Sequence, residues 1–209
     1  MLAFAMKALQ FLLIMCLMLL SMLSCRQPEA RATLLPGGVS LQPGDVVFRR
    51  GNGLTSRLVL WLDRDSRYSH VGIVVDSAGV PMVVHAVPDE PDYPGDVDRV
   101  KMEHPETFFS PKRTSVGEVR RPRNMAAGRQ AAEEAWKVYR RKVAFDHSYD
   151  ETDTTKMHCT ELVLFVYAKA GYSLVKGKPR IMSLAGQEFT CSLPSDIYKS
   201  ENLKREFVF

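Results

Sequence analysis

Apolar residues in this chain gather in short runs between turn residues, with two longer stretches at helical spacing. Leu41-Gln42-Pro43-Gly44-Asp45 is a turn leading into Val46-Val47-Phe48, the first strand. Leu58, Val59, Trp61 and Leu62 belong to a short helix that Thr55 caps. β-Branched residues dominate 68–76 and recur over 80–87, so both segments are strands. A further strand is expected over 117–121. Asn124 then caps a helix running to about position 142. Its stripe is Ala127, Ala131, Ala135 and Val138, and Trp136 and Tyr139 pack against the core. Residues 144–150 read as extended and 151–155 as an acidic, threonine-rich turn. Residues 159–170 form a second helix, with Leu162, Val163, Val166 and Ala170 on its buried face and Gly171 as its C-cap. Pro194-Ser195-Asp196 opens a short helix, and 206–209 closes the chain as a strand. The interval 89–115, studded with prolines among acidic residues, reads as a long excursion that is either a functional rim or a surface insertion. Short strands with two substantial helices in one domain make the fold class α+β.

The hairpin around Asp76-Ser77-Ala78-Gly79 permits a geometric inference, since Gly79 tolerates positive φ. With an even-length turn, paired residue numbers sum to an odd value. His70 and His85 sum to 155 and then share a face, directly opposite or on a diagonal. A three-residue turn without a bulge puts them on opposite faces.

The first 24 residues carry one charge, Lys7, followed by an apolar run over 8–20. This reads as a secretory signal, and the run is short for a membrane span of about 20 residues. It ends in Ser21-Met22-Leu23-Ser24-Cys25, which resembles a bacterial lipobox with Met22 in place of the usual leucine. Cys25 is then a lipidation site, the alternatives being a plain cleaved signal or an uncleaved anchor, and 25–40 is a polar tether to a domain over 41–209. No aspartate follows Cys25, and in the lipoprotein resemblance that favours the outer membrane where a cell has two. The expected location is the cell envelope, facing periplasm or exterior. Without 1–24 the chain holds 27 basic and 24 acidic residues, a net +3. That weak, dispersed charge gives no support to nucleic-acid binding.

Of four cysteines, Cys16 lies in the signal and Cys25 at the lipid site, leaving Cys159 and Cys191 in the domain. An oxidising compartment normally pairs such residues. A 159–191 bridge, however, would consume the more interesting sulfur, so both are expected free, with Cys191 a small buried residue. Cys159 begins a helix, and a thiol there with an imidazole in reach becomes an activated nucleophile. His158 beside it reads as a cap or a solvent-facing residue. Two histidines and a cysteine also admit zinc, but no CxxC or HxxxH pair supports a metal, and no cofactor is expected.

Leu41-x-Pro43-Gly44-Asp45-x-x-Phe48, Ser69-His70-Val71-Gly72-Ile73 and Cys159-Thr160-Glu161-Leu162-Val163 ending in Ala170-Gly171 together resemble the circularly permuted papain-like amidases. This is the YiiX/YaeF-like branch of the NlpC superfamily, which includes lecithin:retinol acyltransferase-like proteins. The similarity spans roughly 41–198. It implies a small antiparallel β-barrel or curved sheet packed on the helix that carries the cysteine. By the same resemblance Cys159 is the nucleophile, His70 the general base and His85 the third polar residue, a position acidic in some relatives. Asp45 matches an early acidic position and is structural. Cys159 and His70 would form a thiolate–imidazolium pair, with the Cys159 backbone N–H and either the Tyr68 side chain or a neighbouring amide as oxyanion donors.

Three functions follow. The first is an envelope cysteine hydrolase cleaving amide bonds in peptidoglycan-type or other small peptides. The second is a lipid acyl hydrolase or acyltransferase using the same Cys-His site. The third is a binding module that retains the cleft without catalysis.

Overall fold

The computed structural model describes residues 33–149, 151, 153, 155–177, 179–184 and 186–209. The expected signal and Cys25 lie outside the described residues. The main sheet draws on β1 (Val46–Gly51), β2 (His70–Ser77), β3 (Val80–Val87), β4 (Arg99–Glu103), β5 (Thr114–Pro122), β6 (Ala144–Phe145), β7 (Lys156–Met157) and β10 (Leu203–Val208). Their order is β10-β5-β1-β2-β3-β4-β6-β7. All neighbours run antiparallel except β6 and β7. A separate hairpin joins β8 (Arg180–Leu184) to β9 (Gln187–Cys191). The helices are α1 (Leu54–Leu62), α2 (Pro105–Phe108), α3 (Met125–Arg140), α4 (Cys159–Lys169) and α5 (Pro194–Tyr198). The class is α+β, with a curled mixed sheet and few helices.

Alternation along the central strands divides two cores. Val46, Phe48, Val71, Ile73, Val75 and Val84 are fully buried in the larger one, with Ala131, Ala135 and Val138 of α3 and Leu162, Val163 and Val166 of α4. The opposite parity supplies Val47, Val74 and Val83, which pack with Phe108, Phe109 and Val119. His70 and His85 belong to this second parity. The β2–β3 turn has two residues, Ala78 and Gly79, with φ of 55° and 84°, and it pairs Ser77 with Val80 and Ile73 with Val84. This is the even-length case, so the two histidines share a face on a diagonal.

Asn124 caps α3 as its sequence indicates, accepting from the backbone N–H groups of Ala126 and Ala127, each at 3.1 Å. Gly171 ends α4 at φ 67°. Asp45 is structural: it accepts from Arg121 Nε and Nη2, each at 2.8 Å, and from the Gln42 backbone N–H. The turn before it is held tightly. Gly44 has φ 93°, and a Cβ there would meet the Gly128 backbone of α3 at 2.4 Å. The Tyr167 hydroxyl of α4 donates to the Gly44 carbonyl.

Four expectations change. Thr55 is not a cap: α1 starts at Leu54 behind Gly53, with no side-chain cap. The 89–115 interval is not one excursion, since it contains β4 and α2. Extended structure in 144–150 contracts to the two residues of β6, and the β8–β9 hairpin was not anticipated. In addition, α1 buries none of its side chains and leaves Leu54 81% and Trp61 56% exposed.

Candidate active site

Helix α4 places its sulfur through both ends of its first turn. His158 precedes it in extended conformation, and the Glu161 carboxylate accepts from the His158 backbone N–H at 3.3 Å. Leu162, Val163 and Val166 anchor the helix in the large core. Cys159 is left half-buried at the helix start, a free thiol, as is Cys191. Cys159 lines a cavity of about 250 Å³ together with His70, Ser69, Arg49, Glu90 and Tyr149. Burial alone would raise the Cys159 pKa. The neighbouring His158 ring, the Thr160 hydroxyl and the Val71 backbone N–H outweigh it, and the thiol becomes more acidic than usual. Cys191, by contrast, is pushed up to about 12, chiefly by burial, and stays an inert thiol.

His70 and His85 converge as the hairpin parity requires, with His70 Nε2 2.9 Å from His85 Nδ1. His85 Nε2 lies 3.2 Å from Glu103 Oε1, close enough for charge attraction but not aligned as a hydrogen bond. Burial would raise the Glu103 carboxyl, yet His85, Arg113 and Arg49 hold it down at about 2, so it is an anion at all working pH. An anion beside His85 Nε2 favours the tautomer with its proton there. His85 Nδ1 then accepts from His70 Nε2–H, and His70 Nδ1 is left with a lone pair. Phe108 closes this group from the side, its ring centroid 5.8 Å from His70, 5.2 Å from His85 and 4.6 Å from the Arg49 guanidinium.

Burial, with Arg49 and His85 nearby, keeps the His70 pKa well below its usual value. His70 is therefore a neutral base at rest, and the anticipated resting ion pair between Cys159 and a His70 imidazolium is corrected accordingly. Tyr68 is also corrected. Its side chain is fully buried, its hydroxyl donates to Glu118 Oε2, and its ring packs on Phe48 and Tyr198, away from the residues lining the cavity. His158 does not face solvent, being only 2% exposed. Glu103 is the residue that sequence reasoning passed over. The alternation of charged and apolar residues in Arg99-Val100-Lys101-Met102-Glu103 was the available signal for its strand.

No protein-family model matches this chain, and no curated protein matches it. Its backbone superposes on the crystal structure of the metalloprotein yiiX from Escherichia coli O157:H7, DUF1105, with a TM-score of 0.63. Sequence identity is 21%, and the match covers 79% of this chain and 96% of yiiX. The two chains share a fold. At this identity the likeness concerns architecture, and it agrees with the YiiX side of the resemblance drawn from the motifs. A metal centre does not fit the residues present: among the described residues no three His, Cys, Asp or Glu side chains are grouped to hold an ion. The facing ring nitrogens of His70 and His85 are at proton-sharing distance from each other.

Proposed function

We propose that the protein is a cysteine hydrolase that cleaves an amide bond through an acyl-enzyme on Cys159, within a permuted papain-like domain of the cell envelope. The observation that supports this most directly is that Cys159 and His70 open onto one cavity, with His85 and Glu103 aligned behind His70. The sulfur attacks the carbonyl carbon while His70 Nδ1 takes the thiol proton. Charge that forms on the carbonyl oxygen meets the unpaired N–H groups at the start of α4, that of Cys159 among them. His70 returns the proton to the leaving nitrogen as the C–N bond breaks. Water then attacks the acyl carbon as His70 takes one of its protons; the C–S bond breaks, the acid leaves and His70 returns that proton to the Cys159 sulfur. Glu103 and His85 hold the His70 ring in register and favour its transient positive charge. Small envelope peptides are the proposed substrates, and a lipid on Cys25 the proposed tether.

Brief incubation with an activated 4-nitrophenyl ester, quenched in acid, should add the mass of the acyl group to the peptide containing Cys159. Cys159→Ala protein should carry none. Acylation that persists in the variant, or none in wild type, rejects the mechanism.

One observation favours a second reading, hydrolysis or transfer of lipid acyl groups. A cavity of about 340 Å³, walled by Leu58, Leu62, Phe189 and Leu193, shares Val59 and Tyr149 with the cavity of Cys159. An aliphatic chain fits such walls. If it lies there, kcat/KM along a series of 4-nitrophenyl esters should rise from acetate to octanoate. Full burial is worth about 0.8 kcal/mol per methylene, roughly a fourfold gain at each added carbon. A flat series returns the choice to peptides.

A further inference from the structure

We propose that His158, buried against Glu151, is a fixed cation beside the Cys159 sulfur, leaving His70 to move the proton. This goes beyond the hydrolase reading, which needs one histidine near the sulfur and assigns no role to the residue before it. His158 is 2% exposed and directly precedes Cys159 at the start of α4. Its Nε2 is 3.3 Å from Glu151 Oε1, close enough for charge attraction though not aligned as a hydrogen bond. Glu151 is itself fixed, accepting from the Ser192 backbone N–H and, at 3.3 Å, from the Ser192 hydroxyl. The Tyr149 ring covers the imidazole at 5.4 Å between centroids.

A carboxylate in such a setting needs a countercharge, and His158 is the cationic group beside it. Burial would raise the Glu151 carboxyl, but His158 and Ser192 outweigh it and hold it below its ordinary value. Reciprocally, burial would lower His158, but Cys159, Glu151 and Glu161 outweigh it and raise it to about 9. The other groups facing this corner do not reverse the sign. Glu161 of α4 is raised to about 7, mainly by burial, with Asp146 beyond β6 among its neighbours. Cys191 of β9 stays neutral at physiological pH, and on the β2 side His70 is neutral.

The proton account then closes on His70 alone. As the C–S bond forms, the thiol proton passes to His70 Nδ1. As the C–N bond breaks, it passes to the leaving nitrogen. His158 keeps its own proton throughout, held by Glu151.

The test is the pH dependence of iodoacetamide alkylation at Cys159 in the full chain, read by peptide mass spectrometry, with wild type, His158→Gln and His70→Gln compared. His158→Gln should move the midpoint up by one pH unit or more, which is tenfold slower alkylation below the midpoint. His70→Gln should leave the midpoint in place while lowering turnover by about 100-fold or more. An unmoved midpoint in His158→Gln, or an equal shift in His70→Gln, overturns the proposal. If His158→Gln fails to fold, the wild-type imidazole signals decide. His158 should remain protonated through pH 8, and a His158 titration at or below 6.5 overturns the proposal as well. Alkylation needs no substrate, so an acidic Cys159 in an enzyme without turnover would sink the hydrolase reading and leave this one standing.

Discussion

Replacing His70 with glutamine is expected to lower kcat/KM on any amide or ester substrate by about 10² to 10⁴-fold, the range for loss of a general acid–base group. The magnitude rests on there being no substitute in the cavity. His85 faces His70 and Glu103, with its ring fully buried, and His158 is engaged with Glu151. Glutamine is close enough in size to keep the neighbouring Phe108 packed, so the loss should appear in rate with the melting temperature little changed. Glu103→Gln should give a smaller loss, because its carboxylate acts only through His85. Steady-state kinetics on one activated ester and one amide would check both. A His70→Gln enzyme within tenfold of wild type on both would remove His70 from the chemistry.

Gly44→Ala is expected to destabilise the protein by more than about 4 kcal/mol, the range reserved for severe packing conflicts. For a domain of this size that corresponds to a fall in Tm of roughly 8 to 16 °C. Two costs combine: the left-handed backbone at φ 93° and the new Cβ 2.4 Å from the backbone of Gly128. Neither side yields easily. Helix α3 is fixed by fully buried Ala131 and Ala135, and the Gly44 carbonyl is held by Tyr167. Gly79→Ala is the control, with φ 84° and nothing within 4 Å of the added carbon. It should cost only the backbone penalty, about 1–2 kcal/mol. Thermal melts that coincide for the two variants would refute the packing argument.

The legible parts of the fold were those whose physics is local or periodic. Turn length settles the shared face of His70 and His85, since side chains alternate with period two. The Asn124 cap and the Gly171 stop depend on a few adjacent residues each. Contacts between distant positions were not legible. Gly44 announces a turn, but nothing near it announces Gly128. Glu103 sits in a five-residue strand whose flanks are rich in proline and acid, and those flanks masked its alternation. Tyr68 is an oxyanion candidate only within the mechanism drawn from the family resemblance. A buried Glu118 carboxylate, 50 positions away in sequence, captures its hydroxyl instead. His158 looked like a cap because its nearest neighbours in sequence suggest one. Its partner Glu151 comes from the acidic, threonine-rich turn, which nothing in the sequence ties to His158.

Helix α1 buries no side chain, whereas His70 and His85 sit on central strands with apolar residues to either side. Mutational drift therefore meets very different resistance on the two walls of the cleft. Changes at Leu54, Leu58 or Trp61 leave the interior undisturbed, while changes on β2 and β3 strike the buried core and the proton path together. Descendants of this chain can diverge in what they admit long before they diverge in how they react.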